Sequence, residues 1–237
     1  MSSTSETPSR HQVWKMFDRI AHRYDLLNRL LSFGRDIAWR KALCCLLPEQ
    51  PDLQVLDLAT GTADVLLAMP QHREIALGVG VDPSGGMLKH GLVKIQNRNQ
   101  ADTLRLVRGD AMALSLPDNH FDAVTIAFGI RNVADYEAGL REMYRILKPG
   151  GRALILEFSL PPNRLFRSGY LFYFRHVLPR IGGLISGDFA AYRYLNQTVE
   201  SFPYGDDFLT CMQRAGFQNT SDQPQTLGIA SIYIGEK

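Results

Sequence analysis

The sequence predicts a doubly wound, Rossmann-like α/β fold, and three observations carry that prediction. Short apolar runs rich in Val, Ile and Leu recur five times between Gln54 and Phe158. Stretches with apolar residues every three or four positions separate them, which is helical spacing. The runs end at acidic residues or glycine-containing turns, and in open α/β sheets the carboxyl ends of the strands line the ligand crevice. Continuous rather than alternating apolar runs suit parallel strands buried on both faces.

Taken in order, Val13, Phe17, Ile20, Tyr24, Leu27 and Leu31 recur at helical spacing and predict an amphipathic helix over 13–31. A second helix, about Asp36 to Leu47, carries Trp39 and Leu43 on one face and stops before Pro48. Gln54 to Ala59 reads as the first strand, followed by Thr60-Gly61-Thr62 and a short helix cut off at Pro70. Ile75 to Val81 is the second strand and ends at Asp82, after which Ser84 caps a helix through about Asn97. Leu104 to Val107 is the third, leading to Gly109-Asp110-Ala111, and Phe121 to Phe128 is the fourth. A helix from Tyr136 to Leu147 is expected to stop at Lys148-Pro149-Gly150-Gly151, with Ala153 to Phe158 as the fifth strand. Pro161 to Gln197 is aromatic-rich and irregular in pattern. Phe166, Tyr170, Tyr173 and Val177 fall on one helical face there, with Arg164 and Arg175 opposite. Pro179 and Gly182-Gly183 are read as the end of that helix. A helix near Asp206–Ala215 then precedes strands at about Asn219–Leu227 and Ile229–Ile234, expected to pair as an antiparallel edge.

A length of 237 residues suits one α/β domain, expected over residues 12–237 behind a frayed tail at 1–11. Within it a helical cover is expected at 12–50 and a lid at 160–200. The net charge of +2 and the lack of any Lys/Arg block give no reason to expect nucleic acid as a partner. Cys44, Cys45 and Cys211 are odd in number and lack Cys-x-x-Cys spacing, which suits a reducing cytosol and neither disulfides nor a zinc site. The six histidines show no metal spacing, so no metal site is expected. No apolar run approaches the roughly 20 residues needed to span a bilayer.

The strand ends carry the chemistry. Asp57 closes the first strand before a small-residue loop through Gly61, and Gly-x-Gly-x-x-Gly is absent because Ala63 and Leu66 stand at the later positions. That argues against a dinucleotide, and an anionic Asp57 suits a cationic or amine-bearing ligand. Asp82 ends the second strand, where a carboxylate can accept both hydroxyls of a ribose. Asp110-Ala111 follows the third and suits an adenine amino group and its flat ring. Helix capping and turn formation are the alternative uses of Asp82 and Asp110. Past the fourth strand stands Phe128-Gly129-Ile130-Arg131-Asn132-Val133, a fixed charge and an amide that are costly to desolvate without a task. The alternative for Arg131 is capping of a neighbouring helix or a structural pair with a carboxylate.

An acid at each of the first three strand ends, with Leu116-Pro117-Asp118-Asn119-His120-Phe121-Asp122 and Leu147-Lys148-Pro149-Gly150-Gly151 in order behind them, resembles the class I S-adenosylmethionine methyltransferases. Tyr24-Asp25-Leu26-Leu27-Asn28-Arg29-Leu30-Leu31-Ser32-Phe33-Gly34, closing at Trp39, sharpens that likeness. So does Phe128 to Val133. Both resemble signatures of the menaquinone and ubiquinone C-methyltransferase family, and the similarity runs from about Trp14 to the C-terminus. The chain departs from it at Leu27, Asp36, Ala63 and Ala127, where Met, His, Gly and Ser are usual.

The resemblance implies S-adenosylmethionine as cofactor, at Asp57, Gly61, Thr62, Asp82, Asp110, Ala111 and Ala127. It implies methylation of a ring carbon on a polyprenyl quinol, typically demethylmenaquinol. Ionising a quinol hydroxyl loads the adjacent carbon with charge, so the enzyme must stabilise a phenolate and exclude water. Arg131 is the expected electrostatic partner, Asn132 the partner of the other ring oxygen, and Tyr24 and Asp25 are expected to fold over the cofactor, Asp25 as a proton-handling candidate. A sterol or aromatic acceptor on the same fold, or a protein that binds the cofactor without turnover, are the competing readings. The lid suggests contact with the inner face of a membrane from the cytoplasm. A homodimer is compatible with the sequence and specified by no motif.

Overall fold

A computed structural model gives residues 13–180 and 189–237, with side chains at 20, 22–24, 27, 30, 31 and 189–193 not described. Positions 1–12 and 181–188 lie outside the described residues, so the tail at 1–11 and the Gly182-Gly183 turn do too.

Seven strands form one sheet in the order β3-β2-β1-β4-β5-β7-β6. They are β1 (Leu53–Leu58), β2 (Ile75–Asp82), β3 (Leu104–Arg108), β4 (Phe121–Ala127), β5 (Leu147–Phe158), β6 (Gln218–Gln225) and β7 (Ala230–Glu236). The first five are parallel, and β7 runs antiparallel to both β5 and β6. The antiparallel pair therefore sits at the sheet edge, with the last strand inserted on its inner side. Strand order reverses between β1 and β4, and a crevice at their carboxyl ends is where such sheets hold ligands.

Alternate residues of the central strands feed two cores. Leu56, Leu58, Val124, Ile126, Ala153 and Ile155 pack on one face, against α5 (Tyr136–Ile146) among others. Leu53, Val55, Ala123, Leu154 and Leu156 pack on the other, against α2 (Arg35–Cys45) and α3 (Asp64–Ala68). Ser84 caps α4 (Gly85–Asn97) as expected, its hydroxyl accepting from the Met87 amide at 3.1 Å. A third cluster joins Val13 and Met16 of α1 (Val13–Leu31) to Phe174, Leu178, Tyr194 and Val199. Tyr194 and Val199 belong to α7 (Phe189–Ser201), so the N-terminal helix and the segment after β5 pack on each other.

One expectation about a chain break is corrected. Lys148-Pro149-Gly150-Gly151 does not separate α5 from β5, because β5 already begins at Leu147. Phe121 pairs with Leu147 and Ala123 with Arg152, so the four residues are looped out as an irregularity inside the strand. Gly150 takes a left-handed φ of 79°, and a Cβ on Gly151 would lie 2.8 Å from the Lys148 carbonyl oxygen. The helix end expected at Pro179 and Gly182-Gly183 runs into positions 181–188, which lie outside the described residues. After α6 (Arg164–Phe172) the chain widens into a π-turn over Tyr173–Val177 and stays helical through 178–180. Proline lacks an amide hydrogen and crowds the preceding turn, and a widened turn relieves both problems. Phe174, within the π-turn, is buried, whereas Phe166 is exposed.

At the opposite end of the sheet, Asp122 ties three elements together. Its carboxylate accepts from the Gln54 amide (2.9 Å), Gln50 Nε2 (2.9 Å) and Lys148 Nζ (2.8 Å), and these contacts hold its carboxyl below the usual range despite burial. Asp122→Ala strands a backbone amide and is expected to lower unfolding free energy by about 1–3 kcal/mol, read from denaturant midpoints.

Candidate active site

The small-residue loop after β1 bends sharply, with Ala59, Gly61 and Ala63 all at positive φ. Asp57 lies beneath it, 1% exposed, with Thr60 Oγ1 and Thr125 Oγ1 each donating to one of its carboxylate oxygens at 2.6 Å. Burial raises its carboxyl from 3.8 to about 6, against the pull of the two threonine hydroxyls. Asp82 accepts from the Gly61 amide at 2.9 Å and the Ser84 amide at 2.8 Å, one on each oxygen, and burial raises it to about 6 also. Each oxygen thus has acceptor capacity left.

Gly61, Asp82, Asp110, Ala111 and Ala127 line one cavity of about 200 Å³. Val81, Met87 and Met112 give it apolar walls, and Trp14 and Phe17 of α1 bring aromatic rings to it. A recess of about 30 Å³ shares Ala59, Gly61 and Ala127 with it and is lined further by Asp57, Thr62, Asp64 and Arg40. A Cβ on Gly61 would meet nothing within 4 Å, so this glycine leaves open space in the wall rather than filling a tight contact. An acceptor carboxylate, an apolar slot, and a recess holding both charge signs fit the ribose, the base and the amino-acid end of S-adenosylmethionine respectively.

Helix α1 is clasped over this site. Asp18 accepts from the Gly86 amide at 2.9 Å and from the Ser84 hydroxyl. Asp25 accepts from Thr62 Oγ1 at 2.6 Å and pairs with Lys94 Nζ at 2.5 Å, which also holds Asp64 at 2.6 Å. Asp25 therefore lines neither this cavity nor the next; it closes a clasp between α1 and α4. Thr62 reaches the recess while serving in the same clasp. The Tyr24 side chain lies outside the described residues.

Beyond β4 the chain turns through Phe128 at φ 55°, a conformation that costs an aromatic residue free energy and marks a functional turn. Gly129 follows because a Cβ there would sit 2.5 Å from Ala59 Cβ. The turn brings Arg131 Nη1 to 2.7 Å and Asn132 Nδ2 to 3.3 Å of one acceptor, the Phe128 carbonyl. Arg131 Nη1 also meets Glu157 Oε1 at 2.6 Å, with Arg131 5% and Glu157 0% exposed. Burial pushes the Glu157 carboxyl up while the Arg131 guanidinium beside it pulls the other way. The guanidinium carbon lies 5.2 Å from the centroid of the Phe158 ring.

Arg131 and Asn132 line a second cavity of about 310 Å³ whose walls are largely aromatic, among them Trp39, Phe128, Phe158, Tyr170 and Phe174. Phe17, Phe128 and Asn132 line both cavities, so the two meet there. Asp36 and Arg40 form a buried pair on its α2 side, with Ser32 Oγ donating to Asp36 at 2.8 Å. Of the expected residues, the structure brings Gly61, Asp82, Asp110, Ala111 and Ala127 together, joins Arg131 and Asn132 in the neighbouring cavity, and sets Asp57 beneath the loop. Glu157, Arg40, Trp39 and Phe174 were not anticipated. Glu157 ends the fifth strand as Asp57, Asp82 and Asp110 relate to the first three, and that position was its signal. The others are helical residues whose facing depends on tertiary packing. Among the described residues no group of three or more His, Cys, Asp or Glu is placed to hold a metal ion.

An acid-bearing strand-end site beside an aromatic second cavity on this sheet defines an S-adenosylmethionine-dependent methyltransferase of class I. Solved structures agree on the fold. An S-adenosylmethionine-dependent methyltransferase from Thermotoga maritima superimposes with a TM-score of 0.67 at 21% identity, over 94% of this chain and 99% of that one. Phosphoethanolamine N-methyltransferase 2 from Haemonchus contortus, in complex with S-adenosyl-L-methionine, gives 0.61 at 15% identity over 86% of this chain and 52% of its own. Residues 4–237 match the ubiE/COQ5 methyltransferase family, and the chain belongs to it. The ubiquinone/menaquinone biosynthesis C-methyltransferase of Geobacter sulfurreducens is 48% identical over 232 residues, 98% of this chain and 90% of the relative. The demethylmenaquinone methyltransferase of Thermus thermophilus is 48% identical over 222 residues, 94% of this chain and all of the relative.

Because burial raises the Asp57 carboxyl, the folded protein binds more protons than the unfolded chain between pH 3.8 and about 6, and stability falls as pH rises through that window. Asp57→Asn removes that loss. Its stability relative to wild type is expected to climb between pH 4 and 7 in urea titrations, and a flat difference would contradict the assignment.

Proposed function

We propose that this enzyme C-methylates the ring of a polyprenyl quinol, demethylmenaquinol first among candidates, with a prenylated benzoquinol as the second. The observation that carries the reading is the meeting of two cavities at Phe17, Phe128 and Asn132. One has the polar anchors of a nucleoside site, and the other is an aromatic chamber sized for a flat ring with an apolar substituent.

S-adenosylmethionine, when bound, supplies a methyl group made electrophilic by its sulfonium. Asp82 accepts from the ribose hydroxyls, and Asp110 and Ala111 hold the base. Arg131 binds the ring oxygen whose ionisation loads the neighbouring carbon with charge, and Asn132, expected on the other ring oxygen, is assigned to the same one because it shares the Phe128 carbonyl with Arg131. The contacts of Nη1 with Glu157 and the Phe128 carbonyl fix the guanidinium in direction, and its Nε–H is the donor left for a phenolate. Trp39, Phe128 and Phe158 keep water from the ring. Trp39 is itself held by its Nε1–H donating to Thr226 Oγ1 at 2.8 Å.

Among the described residues no helix is long and apolar enough to cross a membrane. We place a membrane surface at the mouth of the aromatic chamber instead. Phe33, which lines it, is 79% exposed, and Phe172 beside the π-turn is 63% exposed. Exposed aromatics of this kind suit an interface where a lipid tail must leave the bilayer.

The test is methyl transfer from labelled S-adenosylmethionine, with reduced demethylmenaquinone and the benzoquinol offered side by side and the product examined by mass spectrometry. Ring-carbon methylation of one or both is expected, and transfer to neither sinks the reading. For the surface, cosedimentation with anionic vesicles should fall severalfold in the Phe33→Ser/Phe172→Ser double variant, while equal sedimentation would remove it.

A further inference from the structure

Three polar groups of the aromatic chamber are buried and have no hydrogen-bond partner among the described residues: Arg131 Nε, Asn132 Oδ1 and Tyr170 Oη. Buried polar atoms are nearly always satisfied, and each exception asks for an explanation. Two lie side by side on the turn after β4. The third comes from α6, far away in sequence, yet it belongs to the same wall. The Tyr170 ring stacks on Phe174 at 5.3 Å, Phe174 lies 6.4 Å from Phe158, and Arg131 sits over the Phe158 ring.

The three groups are not equivalent in position. Asn132 also lines the cofactor cavity, whereas Tyr170 lines the aromatic chamber alone. A 1,4-quinol has two oxygens at opposite ends of its ring, and only one of them adjoins the carbon to be methylated. That oxygen must lie near the cofactor, where Asn132 and Arg131 offer an acceptor and a donor. The other lies deeper, beside the prenylated carbon, and needs its own partner.

We propose that Tyr170 is a substrate-contacting residue whose hydroxyl binds the quinol oxygen beside the prenylated carbon, while Arg131 and Asn132 bind the oxygen beside the reacting one. The assignment rests on the quinol reading above. Tyr170 stays a neutral phenol at working pH, because burial raises its hydroxyl well above the ordinary tyrosine range. It therefore keeps its proton and donates it without competing for the one the substrate must lose. The ring is held at both ends, and a single carbon faces the methyl group.

Tyr170→Phe removes one oxygen and preserves the ring stack on Phe174. Binding is measured by calorimetry on protein loaded with S-adenosylhomocysteine. One probe is short-chain demethylmenaquinol; the other is the prenylated naphthol that lacks only the oxygen beside the prenylated carbon. Wild type is expected to bind the quinol roughly tenfold more tightly than the naphthol, and Tyr170→Phe to bind the two alike, with affinity for S-adenosylhomocysteine unchanged. A variant that weakens both probes equally overturns the assignment, since that is the mark of a structural role. A wild type that does not distinguish the probes overturns it as well. Failure to bind either probe, or to methylate the quinol, removes the acceptor reading itself and the Tyr170 assignment with it.

Discussion

The buried pair of Arg131 and Glu157 is the interaction on which the active site depends. A carboxylate with no exposed surface and a guanidinium in an aromatic wall are both costly to bury, and each offsets part of the other's cost. Each therefore dictates where the other must be. Glu157 is set by the sheet, at the carboxyl end of β5, and is further held by the Phe158 amide at 2.8 Å. Arg131 is set by the turn after β4, which the left-handed Phe128 and the close approach of Gly129 to Ala59 produce. The pair fastens that turn to the neighbouring strand, so the residues that face the acceptor stand on rigid elements rather than on a loose loop.

The same economy appears one strand away. Asp57 gives one lone pair per oxygen to threonine hydroxyls from its own loop and from β4, and Asp82 gives one per oxygen to backbone amides. The first acid shapes the loop, and the second presents its remaining capacity to the cavity. Residues of identical type at equivalent strand ends thus differ in what they engage and where they face, Asp57 the small recess and Asp82 the larger cavity.

Most of the fold was legible in the sequence because its signals are local: apolar runs, strand-end acids, Ser84 before a helix. The misread break was also a local signal, overruled by packing. Lys148-Pro149-Gly150-Gly151 has the chemistry of a helix stop, yet neighbouring strands and the C-terminal residue capture it, Gly150 donating to the Lys237 carbonyl at 2.8 Å. At the site, strand-end residues were readable because sheet topology fixes their place. Asp25 was not, because nothing in its own segment records that Lys94, far along the chain, waits for it. Arg40 and Trp39 face the chamber only through the way α2 packs on the sheet.

Helix α1 gives Phe17 to both cavities, and its acidic clasps reach the loop after β1 and the start of α4. One element is thus a wall for two different molecules. Whatever free energy is needed to seat that helix is spent once, by the first arrival, and the second finds the wall already in place. Affinities for cofactor and acceptor are then tied by one common factor that works equally in both directions. Departure is tied in the same way, so that loss of either molecule loosens the hold on the other.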